Sequence, residues 1–422
     1  IISKDFISLR RKIIHIIVKN MIRQEEIALV IDAQRETFLK RDSGFIRDAL
    51  SEIPVADSFA TIITGIRRCG KSTLLLQLLR RDYLDAIYLN FDDIRLSSFE
   101  TGDLVRLHRE IEKRGIKVLF FDEIQTVKGW ETFINQLLRE EYKVFITGSN
   151  ASMLSVELGT HLTGRHLPME LFPFSYSEFI QFKSLDNGEN SVMDYLKDGG
   201  IPEYLKTGAS IILNALVDDI LMRDIAVRNN IRDVISLRQL TAYLITNIGN
   251  LVSASKLVGM FDIKSPATFL EYFSFLKDAY LLEFVPIFSH SLKVQARNPK
   301  KVYVMDLGIY TENAVSTSDN MGRRLENLVF LHLRRKYKHI FYYKDRGECD
   351  FITMEKNAVK ETIQVCLTID DENFEREYDG LLVAMQNLGI KEGSIVTLNQ
   401  SDTFEKDGMT IRMIPAHLFF QE

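Results

Sequence analysis

The sequence predicts an α/β fold in which a parallel sheet carries helices on both faces, followed by further mixed domains. Three observations lead there. Between residues 59 and 147, apolar strand-like runs alternate with helix-like ones, and such alternation builds parallel βαβ units. The stretch Thr64-Gly65-Ile66-Arg67-Arg68-Cys69-Gly70-Lys71-Ser72-Thr73 fits G-x-x-x-x-G-K-[ST] at every fixed position, with a β-rich run before it and a leucine-rich run after it. The apolar run 116–121 ends in adjacent carboxylates, Asp122 and Glu123, at the strand end where open α/β sheets bind ligands.

Length and composition set bounds. At 422 residues the chain is long for one core, and length suggests roughly three domains. A hydrophobic content of 46% and a charged content of 26% are ordinary for a globular protein and exclude a low-complexity chain. The net charge of −5 argues against a surface that coats nucleic acid everywhere, while leaving room for a local basic face. Cys69, Cys349 and Cys366 lack metal-ligand spacing, and three cysteines make a disulfide framework unfavourable. A reducing, cytoplasmic location is expected. No apolar run approaches the ~20 residues of a membrane helix, so no membrane is expected as a partner. In residues 1–20 the apolar run is short and broken by His15, unlike a signal sequence. With Met21 opening a helix-like run, residues 1–20 are expected to be an extension without function.

Residues 21–50 read as a packing helix with Ile22, Ile27, Val30, Ile31 and Phe38 as its apolar members. Strand 59–64 then enters the loop. Gly65 and Gly70 take backbone angles closed to other residues, so the N–H groups of Gly65, Ile66, Arg67, Arg68, Cys69, Gly70, Lys71, Ser72 and Thr73 can turn inward around phosphate oxygens. Lys71 can reach the β- and γ-phosphates, Ser72 can hold Mg²⁺, and helix 71–81 points its positive end at the same anion. Cys69 reads as a small side chain that fits the loop. Strands 86–91, 116–123 and 143–147 follow, separated by helices 101–114 and 129–140. Asp122 stands where a carboxylate holds Mg²⁺ through its water shell. Glu123 beside it is placed to orient and deprotonate an attacking water, so the chain reads as a hydrolase. Lys71, Asp122 and Asn150 all fall at carboxyl ends of strands. Arg165 is an arginine-finger candidate, since a cation near a transferring phosphoryl group stabilises developing charge.

Further phrases sharpen this reading: Phe120-Phe121-Asp122-Glu123-Ile124-Gln125 with Trp130, Thr147-Gly148-Ser149-Asn150-Ala151-Ser152, and Leu162-Thr163-Gly164-Arg165. After them come Pro173-Phe174-Ser175-Tyr176-Ser177-Glu178-Phe179 and Gly199-Gly200-Ile201-Pro202-Glu203-Tyr204. With the phosphate loop, they resemble AAA-type P-loop ATPases of bacteria and archaea that carry a C-terminal endonuclease-like domain of unknown function. Coverage runs from about residue 40 to the end. The resemblance implies ATP rather than GTP, with Mg²⁺. It also implies a polar sensor at Ser149 or Asn150 and a helical lid over 174–235, in which Arg223 reads as a salt-bridge residue. Arg165 could act on its own or a neighbouring subunit's nucleotide, the latter in a homo-oligomer.

Residues 236–305 read as a winged helix-turn-helix, with helices near 236–249, 253–260 and 265–278 and wing strands at 280–285 and 301–304. Between the strands, residues 289–301 hold Lys293, Arg297, Lys300 and Lys301 and no acid, a plausible duplex-DNA contact. A winged helix used for protein packing fits the same pattern. The order of helix 323–330, strands 340–344, 348–354 and 360–367, helix 371–388 and strands 393–398 and 409–414 resembles the restriction-endonuclease-like fold. Such nucleases gather a helix Glu, a strand Asp and a Glu/Gln-x-Lys around Mg²⁺. Glu326, Asp350 and Gln364 match in position. Cys366 stands where the lysine belongs, which makes the site degenerate unless Lys344 or Lys360 substitutes.

The expected architecture is an N-terminal extension and helix (1–44), a P-loop core (45–173), a helical lid (174–235), a winged helix-turn-helix (236–310) and an endonuclease-like domain (320–422). The expected function is Mg²⁺-dependent ATP hydrolysis coupled to DNA binding or remodelling. Its alternatives are a slow nucleotide-gated switch working through a protein partner, and a Mg²⁺-dependent nuclease.

Overall fold

The computed structural model describes residues 22–151, 164–315 and 320–421. The expectations for residues 1–20, Met21, Ser152, Leu162 and Thr163 lie outside the described residues. The chain divides into two units, Ile1–Gly65 with Gly70–Leu171 and Ile66–Cys69 with Phe172–Glu422.

In the first unit, β1 (Ala60–Thr64), β2 (Ile87–Asn90), β3 (Val118–Asp122), β4 (Lys143–Gly148) and β5 (His166–Glu170) form one parallel sheet in the order β2-β3-β4-β1-β5. Every residue of β1 is buried, which is why it reads as a continuous apolar run and not as an alternating one. Leu104, Leu107 and Ile111 on helix Thr101–Arg114 repeat at helical spacing, as do Phe133, Ile134 and Leu137 on helix Trp130–Arg139. These stripes share one core with Phe121, Val144 and Ile146 of the sheet. β5 was not among the expected strands. Pro168 obscures it, yet a proline costs little on an edge strand, where one row of backbone groups is unpaired.

Helix Gln24–Lys40 buries Ile27, Val30 and Ile31 in the same core. It stops at Lys40, ten residues short of the expected end. Asp42 Oδ1 accepts the Gly44 N–H at 3.0 Å and the chain turns at Gly44 (φ 62°). The segment beyond is strapped to helix Lys71–Asp82. Gln77 Nε2 donates to Ser43 O and Phe45 O, both at 2.7 Å, and Arg80 Nη2 donates to Leu39 O at 2.6 Å.

In the second unit, the segment expected to be helical contains helices Tyr176–Lys183, Glu189–Asp198, Pro202–Thr207 and Ile211–Asp219, the last continuing as a π-helix over Ile220–Val227. The Gly199-Gly200 pair has a packing reason. A Cβ on Gly200 would lie 2.5 Å from Phe174 O, and one on Gly199 would lie 2.4 Å from Asp306 Oδ1. Asp306 Oδ2 accepts the Gly200 N–H at 2.6 Å, and its Oδ1 caps helix Leu307–Asn313 through Gly308 N. Next come helices Val234–Thr246, Ala254–Leu257 and Pro266–Asp278, with β6 (Leu251–Val252), β7 (Leu282–Val285) and β8 (Lys300–Val304) in an antiparallel sheet ordered β6-β8-β7. The helix expected over 253–260 ends at Leu257, because Val258 is extended at ψ 131°. The loop expected before β8 holds a short helix, Leu292–Arg297.

The C-terminal sheet comprises β9 (His339–Lys344), β10 (Glu348–Glu355), β11 (Ala358–Val365), β12 (Glu392–Thr397), β13 (Asp402–Lys406) and β14 (Met409–Pro415), in the order β13-β14-β12-β11-β10-β9. β13 was not expected; its turn to β14 is Asp407-Gly408, both at positive φ (51° and 74°), a hairpin signal passed over in the sequence. Helix Phe374–Leu388 packs Leu381 and Met385 against Ile352, Ile395 and Ile411. No helix among the described residues is long and apolar enough to cross a membrane.

Candidate phosphate-binding site

The loop between β1 and helix Lys71–Asp82 has the backbone its pattern demands. Gly65 sits at φ 151° and Gly70 at φ 103°, both in the region that side chains disfavour. Arg68, between them, is also left-handed at φ 65°. Lys71 is buried, and its Nζ donates to Gly65 O at 2.9 Å, so the ammonium lies folded inside the loop. Ser72 and Thr73 follow on the first helical turn. Within the second unit, the side chains of the loop crest are paired. Arg67 Nε and Nη2 donate to Asp224 Oδ2 and Oδ1 at 3.0 and 2.9 Å. Arg68 Nη2 donates to Asp219 Oδ2 at 3.1 Å, with Glu203 Oε2 3.6 Å from its Nη1. Asp219 also pairs with Arg223 at 3.7 Å, the salt-bridge role expected of Arg223. Cys69 is fully buried, which suits a small side chain.

The parallel register sets the carboxylates at the same end of the first unit's sheet. Asp122 is the last residue of β3 and is only 1% exposed. Its Oδ2 accepts from Tyr88 Oη of β2 at 2.9 Å, and its Oδ1 accepts from Thr147 Oγ1 of β4. Burial, reinforced by the Asp122 charge, pushes the Tyr88 phenol far above its ordinary range, so it stays a neutral donor. Glu123 leaves the strand at φ 56°, ψ 35°, a left-handed turn at a bulky residue. That turn separates the two side chains: Asp122 is held within the sheet, while Glu123 Oε2 accepts from Gln125 Nε2. Gln125 Oε1 is buried with no hydrogen-bond partner among the described residues. Ser149 and Asn150 are buried just past β4. Arg165 is exposed just before β5, where its carbonyl accepts from Ala60 N at 3.1 Å.

Four residues near this site were missed in the sequence: Tyr88, Thr147, Gln125 and Arg47. Thr147 and Gln125 lie in the quoted phrases, and Tyr88 in an apolar run. Their hydroxyl and amide groups were the available signal, readable only once the strand order is known. Arg47 is buried, and its Nη1 lies 3.5 Å from where a Cβ on Gly70 would sit.

The remaining expected residues lie in the second unit. Lys293 and Arg297 are exposed on the short helix, and Lys300 is half-buried, its ammonium shifted down by burial. Lys301 departs from the expected DNA-contact set, being only 4% exposed and ion-paired to Glu326 and Asp350. A buried, paired ammonium does not reach a duplex. Glu326 and Asp350 share Lys301, and Asp350 N donates to Gln364 Oε1. Lys344 and Lys360 do not join them and instead pair with Glu348 and Glu355 at the surface.

Comparison with known proteins places these observations. Residues 57–180 match a family described as an AAA domain, and residues 189–319 match a domain of unknown function (DUF8612). An uncharacterized protein of Methanocaldococcus jannaschii is 34% identical over 385 residues, covering 84% of this chain and 85% of that protein. An uncharacterized protein of Haemophilus influenzae is 30% identical over 377 residues, covering 84% and 92%. Among solved structures, the Saccharomyces cerevisiae Hsp104–ADP complex aligns with a TM-score of 0.33 at 16% identity, over 50% of this chain and 37% of that one. Caenorhabditis elegans PCH-2 aligns with a TM-score of 0.23 at 15% identity, over 42% and 49%.

Proposed function

The chain belongs to the family of these M. jannaschii and H. influenzae proteins and carries an AAA domain, and on that premise we propose that it binds ATP with Mg²⁺ and hydrolyses it. The observation that carries the reading is the buried Asp122 carboxylate, aimed by two hydroxyls, with Glu123 turned away from it by a left-handed backbone. The positive-φ glycines and the ammonium inside the loop suit a polyphosphate. In this reading the loop amides and Lys71 hold the phosphates, and Ser72 and Asp122 hold the metal, whose charge would neutralise that developing on the phosphates. Glu123 takes a proton from the attacking water, and Gln125 fixes the Glu123 carboxylate. Asn150 senses the terminal phosphate, and Arg165 acts on this or a neighbouring subunit's nucleotide in a homo-oligomer.

Coupling to DNA is the finer proposal. The helices from Val234 to Asp278 followed by β7 and β8 support a winged-helix reading, with Lys293, Arg297 and Lys300 as its basic edge. The alternative is a slow nucleotide-gated switch that works through a protein partner. Steady-state ATP hydrolysis with and without duplex DNA, for wild type and Glu123→Gln, tests both. Glu123→Gln should lower turnover by about 10²–10⁴-fold with nucleotide binding retained. Stimulation by DNA supports the motor or remodelling role, and indifference to DNA supports the switch. Absence of both Mg²⁺-dependent binding and turnover in the wild type refutes the ATPase reading.

A further inference from the structure

We infer that the Lys301 ammonium is the resident cation of a carboxylate site in the second unit, and that it keeps divalent metal, and hence metal-dependent phosphodiester cleavage, out of that site. Four elements converge there: Lys301 from β8, Glu326 from helix Met321–Lys336, Asp350 from β10 and Gln364 from β11. Lys301 Nζ donates to Asp350 Oδ1 at 2.6 Å and to Glu326 Oε1 at 2.9 Å, filling the point on which the two carboxylates converge.

The carboxylates are held from behind. Tyr303 Oη donates to Glu326 Oε1 at 2.7 Å, and the Tyr303 ring stacks on Phe330 with centroids 4.5 Å apart. Asp350 Oδ2 accepts from Val365 N at 2.9 Å, while Asp350 N donates to Gln364 Oε1 at 3.1 Å. The β9–β10 register shifts between Cys349 and Ile352, the kind of irregularity that re-aims a side chain. Gln364 Nε2 in turn donates to Glu377, so its orientation is fixed as well.

Small hard cations take such oxygens at about 2.0–2.6 Å and bring water ligands with them. Lys301, with its side chain 5% exposed, occupies that space. Burial alone would lower its basicity, but the Asp350 and Glu326 charges outweigh burial and raise it far above the ordinary lysine range. Two charge-assisted contacts, to Asp350 and to Glu326, hold the ammonium in place. Burial raises the Glu326 carboxyl against the pull of Lys301, as expected where one cation faces two acids. Cys366 supplies no cation, since a thiol is neutral or anionic, and burial favours the neutral form. The inference is independent of the ATPase reading.

The test is Mn²⁺ binding to the nucleotide-free full chain, followed by electron paramagnetic resonance of free Mn²⁺, for wild type, Asp350→Asn, Lys301→Met, Lys301→Arg and Lys301→Met/Asp350→Asn. Wild type and Asp350→Asn should bind alike, and neither wild type nor Lys301→Arg should hold an Asp350-dependent ion. Lys301→Met should gain one Mn²⁺ per chain, lost again in the double variant. An Asp350-dependent Mn²⁺ site in the wild type overturns the inference, as does Asp350-dependent cleavage of DNA by the wild type. So does a folded Lys301→Met that gains no site. If Lys301→Met does not fold, the wild-type comparison with Asp350→Asn still decides, because it needs no change at Lys301.

Discussion

Tyr88→Phe isolates the support of the proposed metal ligand from the ligand itself. The phenol hydroxyl is 2.9 Å from Asp122 Oδ2, and Asp122 is 1% exposed, so no bulk water replaces the lost bond. The ring itself is kept. It stacks on Phe38 with centroids 3.6 Å apart and 7° between planes, and phenylalanine preserves that contact. Losing a partner that orients a metal ligand costs about 10–100-fold in metal affinity, or about 1.4–2.7 kcal/mol. The assay is ATP hydrolysis titrated with Mg²⁺ at fixed excess ATP. Half-saturation should move to about 10–100-fold higher Mg²⁺ with a maximal rate near wild type. In the nucleotide-free protein, the unpaired carboxylate oxygen should lower stability by about 1–3 kcal/mol in urea denaturation. Unchanged half-saturation with unchanged stability would mean that Tyr88 does not support Asp122, and the site as described would be wrong.

Two further outcomes concern the second unit. Asn327 is fully buried, accepting from Val304 N and donating to Val304 O, both at 2.9 Å; Asn327→Ala should cost about 2–4 kcal/mol by chemical denaturation, since it orphans two backbone groups of β8. His332 packs against Phe419 and Phe420, and burial, with Lys336 and Arg335 adding to it, pushes its imidazole down to about 3. The folded protein then resists a proton that the unfolded chain accepts from its ordinary value downward, so stability is full above pH ~6.5 and declines as pH falls. Between pH 7 and 5, His332→Leu should gain about 1–2 kcal/mol relative to wild type in paired unfolding curves, the figure being held low because the ring is partly exposed.

Much of the first unit was readable because it obeys local rules. The loop pattern demands glycine at Gly65 and Gly70, and the buried strands advertise themselves as unbroken apolar runs. β5 escaped because Pro168 argues against a strand unless the strand is known to lie at an edge. The end of the first helix escaped because mixed apolar and charged residues continue past Lys40, where the Asp42–Gly44 turn stops the helix. Asp122 and Glu123 were legible as a pair with distinct expected roles, but the geometry that parts their side chains was not. It depends on a positive φ at Glu123 and on hydroxyls from β2 and β4, which become neighbours only when the sheet assembles. In the second unit, Glu326, Asp350 and Gln364 were found by position. The cation was sought on the neighbouring strands at Lys344 and Lys360, whereas it arrives from β8, outside the stretch where the resemblance places it.

The phosphate loop has a consequence for dissecting this protein by truncation. Its crest, Ile66–Cys69, groups with residues 172–422, while the glycines that bracket it group with the first unit. A fragment ending at Leu171 would keep every residue of the sequence pattern and lose Asp219 and Asp224, the counter-ions of Arg68 and Arg67. Arg67 and Arg68 would then each lack a carboxylate that they pair with in the full chain, which makes the crest more positive. A higher affinity of such a fragment than of the full chain for nucleotides, heparin or nucleic acid would report on those lost pairs.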